Sequence, residues 1–141
     1  MIAFTCRFRT LTIVGALASL ATFASDAHAA GRRNIYVRNA CNRPIELLID
    51  HADGYHNWHP HAWFRFAAGE GGYLRGSEGN ILSQSEDHEL YGYARTTDRG
   101  WPLYWEGNEQ EVIWQGAAYK ETKLNTTVDS DGDLVVRITC A

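Results

Sequence analysis

The chain has 141 residues, of which 45% are hydrophobic and 21% charged, with a net charge of −4 at neutral pH. A mildly acidic balance without a basic run excludes nucleic-acid binding as the main role, because phosphate neutralisation dominates that affinity. The length leaves room for one small domain behind a leader and little else.

Met1 to Thr10 is short and basic, with Arg7, Arg9 and no acid. Leu11 to Ala24 is apolar apart from Thr12, Ser19 and Thr22, and Ala27-His28-Ala29-Ala30 supplies a small-x-small cleavage site. This three-part pattern predicts a secretory signal peptide over residues 1–30, cut after Ala29 or Ala30. The apolar run falls short of the ~20 residues a spanning helix needs, so no membrane span is expected in the mature chain. Phe8 separates the two arginines, and Cys6 precedes the apolar core, so neither a twin-arginine nor a lipoprotein signal is expected. Cleavage takes Lys+Arg from 13 to 11 and Asp+Glu from 17 to 16, leaving residues 31–141 as a single β domain with a charge of −5. The product is expected in the periplasm or secreted.

Only Cys41 and Cys140 survive cleavage, and in an oxidising compartment one structural disulfide between them is expected. It would tie the first strand of the mature chain to the last. Ile35-Tyr36-Val37 and Ile45 to Ile49 read as strands around a Cys-Asn-Arg-Pro turn, with Pro44 at a strand start where its missing N–H does no harm. His51 to His61 reads as a polar, aromatic loop, and Ala62 to Phe66 as a third strand. Ala67 to Gly72 is a turn, and Tyr73 to Arg75 and Ile81-Leu82 are brief strand candidates. His88 to Thr97 is long and aromatic enough for a central strand. Trp101 to Gly107 reads as part loop, and Glu111 to Gln115 as another short strand. Tyr119 to Val128 and Leu134 to Cys140 flank the turn Asp129 to Asp133 as the clearest hairpin. Helical periodicity is absent over any long stretch, so the fold class is all-β, a small antiparallel β-sandwich or partly open barrel with long aromatic loops.

The order Cys41-Asn42-Arg43, Ala62-Trp63-Phe64, Ala68-Gly69-Glu70, Tyr91-Gly92-Tyr93-Ala94 and Trp105-Glu106-Gly107 resembles the small exported bacterial DUF1036 family, across roughly residues 35 to 110. That family's pattern runs Cys-Asn-(Arg/Lys)-Thr, Gly-Trp-Trp, Pro-Gly-Glu-Cys, Tyr-Tyr-x-Tyr-Ala and Trp-x-Gly. Here Pro44 replaces the threonine, His61-Ala62 precedes Trp63 in place of glycine, and Gly71 stands where a cysteine would be. The resemblance implies export and fold; the family's function is unknown, so it implies no chemistry.

Three constellations bear on function. His56, His59 and His61 place three imidazoles within six residues, with Asp50 and His51 upstream, and imidazole suits Zn²⁺ or Cu²⁺. The competing account is a surface loop whose histidines bond locally. Asp129-x-Asp131-Gly132-Asp133 resembles half a calcium loop, but Cys140 stands where its closing glutamate would be, so a hairpin turn is expected. Trp58, Trp101, Tyr104 and Trp105 lie in loop-like contexts where exposed rings could stack on a sugar or hold a peptide. Core packing is their competing account.

No nucleophile elbow, phosphate loop or zinc-protease motif occurs. Glu86, Asp87 and Glu89, or Glu106, Glu109 and Glu111, could pair for a small hydrolase, though such runs are usually solvated faces. The leading expectation is an exported non-catalytic binding module of the cell envelope, its partner an envelope protein, peptide or glycan. A periplasmic metal-binding protein is the alternative, and a small hydrolase the third class.

Overall fold

The computed structural model describes residues 31–53 and 57–140; the expected signal peptide and His56 lie outside the described residues. In chain order the strands are β1 (Arg32–Asn39), β2 (Ile45–Ala52), β3 (Trp58–Phe66), β4 (Gly71–Tyr73), β5 (Ser83–Ser85) and β6 (Tyr91–Thr96). There follow β7 (Tyr104–Trp105), β8 (Gln110–Trp114), β9 (Ala117–Lys123), β10 (Thr126–Val128) and β11 (Leu134–Ile138). The fold is all-β. Among the described residues no helix is long and apolar enough to cross a membrane.

The strands form two sheets. One runs β10-β11-β1-β4, with β5 joined to the start of β1; the other runs β3-β2-β6-β9-β8, with β7 joined to the end of β6. Alternation explains the layer between them. Ile35 and Val37 of β1, Ile45, Leu47 and Ile49 of β2, and Val136 and Ile138 of β11 meet Phe66, Leu74, Leu82, Leu90 and Leu124 in the main core. Gly92 in β6 lets the layers close: a Cβ there would stand 2.9 Å from both Leu124 Cδ1 and the Leu48 carbonyl oxygen.

The second sheet curls. Its end strands β3 and β8 touch, so the face of β2 turned away from the main core is covered as well. Leu48, Tyr93 and Val112 form a second cluster there, flanked by Trp63, Trp114 and Tyr119. β2 is consequently buried at all eight positions. Trp63, Tyr93 and Tyr119 meet edge to face, with ring centres 5.2 to 6.1 Å apart.

One pairing departs from the antiparallel expectation. β11 lies parallel to β1, with Ile35 opposite Leu134 and Asn39 opposite Ile138, while the other paired strands are antiparallel. Parallel neighbours end on the same side, which brings Cys41 and Cys140 together. They are disulfide-bonded, with Cα atoms 4.9 Å apart. The expected link between first and last strands is thus present.

Asn39 organises the chain just before that bond. Fully buried, its amide donates to the carbonyls of Arg43 (2.8 Å) and Ala67 (2.9 Å) and its oxygen accepts from Cys41 N (3.0 Å). Asn39→Ala would strand these groups without water. It is expected to destabilise the oxidised protein by about 2–3 kcal/mol, read as a lower urea midpoint; an unchanged midpoint would show that the turn relaxes to satisfy itself.

Elsewhere the hairpin β10–β11 forms as expected, with Val128 opposite Leu134. Its turn is a turn: Asp129 Oδ1 accepts from the backbone N–H of Asp131 and Asp133, and Gly132 takes φ 86°. Asp133 is buried and accepts from Asn34 and Tyr73. Tyr119 belongs to a different hairpin, β8–β9, made by Gln115 (φ 49°) and Gly116 (φ 82°). Positive φ at both central residues matches the twist of a two-residue hairpin turn. β5 had no strand signal in the sequence, and β6 is shorter at both ends than the expected strand His88 to Thr97.

Candidate functional site

The histidine segment is mostly strand. β2 extends through His51 and Ala52, and β3 begins at Trp58, four residues before the expected start. A β-bulge then decides which side chains face inward. Phe64 pairs with Leu47 but His61 pairs with Ile49, leaving Ala62 and Trp63 opposite Leu48. The extra residue resets the alternation. As a result His61 and His59, not Ala62 and Pro60, share the inward face with Ile49 and His51.

His51 lies opposite His59 in the register, with ring centres 5.8 Å apart, and its ring centre is 5.1 Å from that of His61. Together with Arg32, Asp53 and the 76–83 segment of the other layer, the three line a groove of about 210 Å³. His51 is only 4% exposed. Its Nδ1 is 2.8 Å from the Ser83 carbonyl oxygen, which fixes Nδ1 as the protonated nitrogen and leaves Nε2 with the lone pair. That Nε2 is buried without a hydrogen-bond partner among the described residues. Burial pushes the His51 imidazole down to about 4, with His61 and His59 adding to the effect and the Ser83 bond opposing it, so the ring is neutral at neutral pH. Burial, then His59, also lowers His61. His59 Nε2 stands 3.1 Å from Asp53 Oδ2.

Of the three imidazoles singled out in the sequence, His59 and His61 come together, and His51 of β2 is their companion. As the side chains stand, no three His, Cys, Asp or Glu groups among the described residues surround a single point suited to a metal ion.

The aromatic candidates divide. Trp58 packs against His88 and Tyr91 with ring centres 5.9 and 5.6 Å away, at the Tyr91 end of β6. Tyr104 and Trp105 pair with Arg95 and Ala94 toward the other end of that strand, about 10–13 Å off at ~3.3 Å per residue. They point to opposite faces. Trp105 packs on the main core and its Nε1 donates to Thr139 O at 3.1 Å. Tyr104 stays 52% exposed, its ring centre 6.3 Å from that of Tyr93. Trp101, at 87% exposure, is the most exposed large apolar side chain described.

The loop that carries Trp101 is pinned. Arg43 Nε donates to Asp98 Oδ2 at 2.8 Å, and its Nη1 donates to the Trp101 carbonyl at 2.8 Å. Thr96 N donates to Leu103 O at 3.0 Å, and Leu103 N donates back to Thr96 Oγ1 at 3.0 Å. Next to this loop Glu46, Arg65, Arg95, Thr96 and Thr97 line a polar cleft of about 510 Å³. Buried Glu46 holds Arg95 at 2.6 Å, and Arg95 in turn lies 5.1 Å above the Trp63 ring.

The first of the two carboxylate sets considered for hydrolysis is engaged at the surface. Glu86 pairs with Arg33 at 3.1 Å, Asp87 with Ser85 and His88, and Glu89 with Lys123 and Tyr91. A different acidic pair was missed. Glu121 is fully buried in the curl of the second sheet, with both oxygens unpartnered among the described residues. Burial and then Asp50 push it up to about 8. Asp50 is also buried and raised by burial, with a Gln110 hydrogen bond opposing the rise. In the sequence both acids occupy strand positions that read as solvent-facing; only the closure of β8 against β3 buries them.

No family model, curated protein or solved structure matches the chain.

Proposed function

We propose that this chain is an exported, non-catalytic binding domain of the cell envelope that holds a glycan on the rim formed by Trp101 and Tyr104. The observation that carries the reading is Trp101, 87% exposed on a backbone held at both ends by hydrogen bonds. An exposed indole costs solvation, and a rigid one loses little freedom when a ring stacks on it. The neighbouring cleft offers Arg65, Arg95 and Thr97, donors and acceptors suited to sugar hydroxyls. Export is supported by the leader-like first thirty residues and by the Cys41–Cys140 bond, which belongs in the periplasm or outside the cell. A catalytic reading gains nothing from the perturbed acids, since Asp50 and Glu121 are sealed from solvent.

Calorimetric titration with soluble cell-wall glycan fragments, alongside peptides of matched size, tests this. Glycan binding that weakens at least tenfold in Trp101→Ala, with the urea midpoint unmoved, is the expected result. Binding indifferent to Trp101, or selective binding of the peptides, would overturn it.

A further inference from the structure

We infer that the ligand of the Trp101 rim is an acidic glycan, its carboxylate held by Arg65 next to Arg95, an assignment that rests on the glycan-binding role proposed above and names the chemistry of the sugar. Strand register carries the argument. Glu46 of β2 pairs with Arg65 of β3 on one side and with Arg95 of β6 on the other, and Arg95 pairs in turn with Tyr104 of β7. Directly opposed residues project to the same face of a sheet. Arg65, Glu46, Arg95 and Tyr104 therefore form one row across four neighbouring strands, roughly 14 Å from end to end at ~4.8 Å per strand. The exposed Tyr104 ring and the polar cleft are one continuous surface, with the loop that carries Trp101 joining β6 to β7 at its edge.

Charge within the row is not balanced. Glu46 is buried, and its Oε1 lies 2.6 Å from both Nε and Nη2 of Arg95. That pair is complete. Arg65 Nε reaches Glu46 Oε2 only at 3.5 Å, longer than a well-made hydrogen bond, and Glu46 is its one ion-pair partner among the described residues. The Arg65 side chain is 78% exposed. The residues lining the cleft thus set two guanidiniums against one carboxylate, an excess of one positive charge on a chain whose net charge is −4. The adjoining loop repeats the excess, with Arg43 and the exposed Arg99 against Asp98. A neutral sugar would leave the Arg65 fork unused. A carboxylate fits it, because a guanidinium donates two parallel N–H bonds to one such group. A single negative charge also matches the cleft more closely than a phosphate monoester, which carries about −1.5 to −2 at neutral pH.

The test is calorimetric titration of soluble cell-wall glycan fragments into signal-free oxidised protein, with the carboxylates of the fragments intact or capped as neutral methylamides. Capped fragments are expected to bind at least tenfold more weakly than intact ones. Arg65→Gln should weaken the intact fragments by a similar factor and leave the capped ones unchanged, and Arg65→Lys, which keeps the charge without the fork, should recover part of the loss. Arg65 is exposed and Glu46 keeps Arg95, so Arg65→Gln should hold the wild-type urea midpoint, which separates a lost contact from a lost fold. Intact and capped fragments binding alike, or wild-type binding by Arg65→Gln, would overturn the carboxylate assignment; if Trp101→Ala still weakens binding, the rim itself stands. Binding kept after capping but lost in Arg65→Gln would make the anion a phosphate and overturn the assignment as well. Binding of no fragment would overturn the rim and its acidic ligand together.

Discussion

Replacing both Cys41 and Cys140 with alanine is expected to lower stability by about 4–5 kcal/mol, the chain-entropy value for closing a loop of ~100 residues. A domain of this size has about 5–15 kcal/mol in total, so the variant should be largely unfolded at physiological temperature if it starts near the lower bound. The topology makes the bond matter beyond its loop length. β1 and β11 lie side by side but parallel, separated by almost the whole chain. An antiparallel neighbour could be delivered by a turn; a parallel one from the far end of the chain cannot. Without the disulfide, the loop-closure entropy of docking β11 falls on the contacts of Val136 and Ile138 with Ile35 and Val37 and on the ladder itself. Urea denaturation of oxidised, reduced and double-alanine protein would measure this. Reduced and variant proteins should agree with each other and lie several kcal/mol below the oxidised form. A difference under about 1 kcal/mol would mean that the unfolded chain is already compact enough for the link to restrict little.

The sequence conveyed the parts of this fold that depend on local chemistry. Ile35-Tyr36-Val37, the Cys41 to Pro44 turn and the Asp129 to Asp133 hairpin carry their own strand and turn signals, and they fold accordingly. The cysteine pair revealed which strands end together, though not that they run parallel. What escaped depends on tertiary closure. His51, His59 and His61 looked like loop residues because a polar imidazole breaks the apolar alternation of a strand facing a core. The bulge at Ala62-Trp63, which aims two of them inward, leaves no local mark: Ala, Trp and Phe suit a regular strand equally well. Tyr104 and Trp105 looked equivalent in sequence, yet strand pleating sends one to the rim and the other to the core. The second core was hidden for the same reason. Tyr93, Tyr119 and Glu121 occupy what would be the solvent face of an open sheet, and it becomes interior only because β3 reaches β8.

That hidden interior gives the second large effect: stability should fall as pH rises from about 6.5 to about 8, and Glu121→Gln should abolish the fall. In the unfolded chain the Glu121 carboxyl titrates near 4.5, whereas in the fold burial and the nearby Asp50 raise it to about 8. Between those values the folded protein keeps a proton that the unfolded chain has released. Raising pH therefore favours unfolding, by up to ~1.4 kcal/mol per pH unit, and the slope vanishes above about 8 once both states are ionised. His51 acts in the opposite direction at lower pH. Its fold value of about 4 lies below its ordinary 6.5, so the unfolded chain gains a proton first and stability falls as pH drops below 6.5. The two slopes oppose each other between 4.5 and 6.5. The decline belonging to Glu121 is therefore seen cleanly above that window. Urea midpoints of chelator-treated oxidised protein at pH 6.5, 7.25 and 8 would follow it. Glu121→Gln keeps the shape of the side chain and never ionises, so its midpoint should stay level across the series and exceed the wild type at the alkaline end. Parallel curves for the two proteins would mean that the carboxyl reaches water or a partner in the fold, and that the curl of β8 over β3 is looser than the packing of Leu48, Tyr93 and Val112 implies.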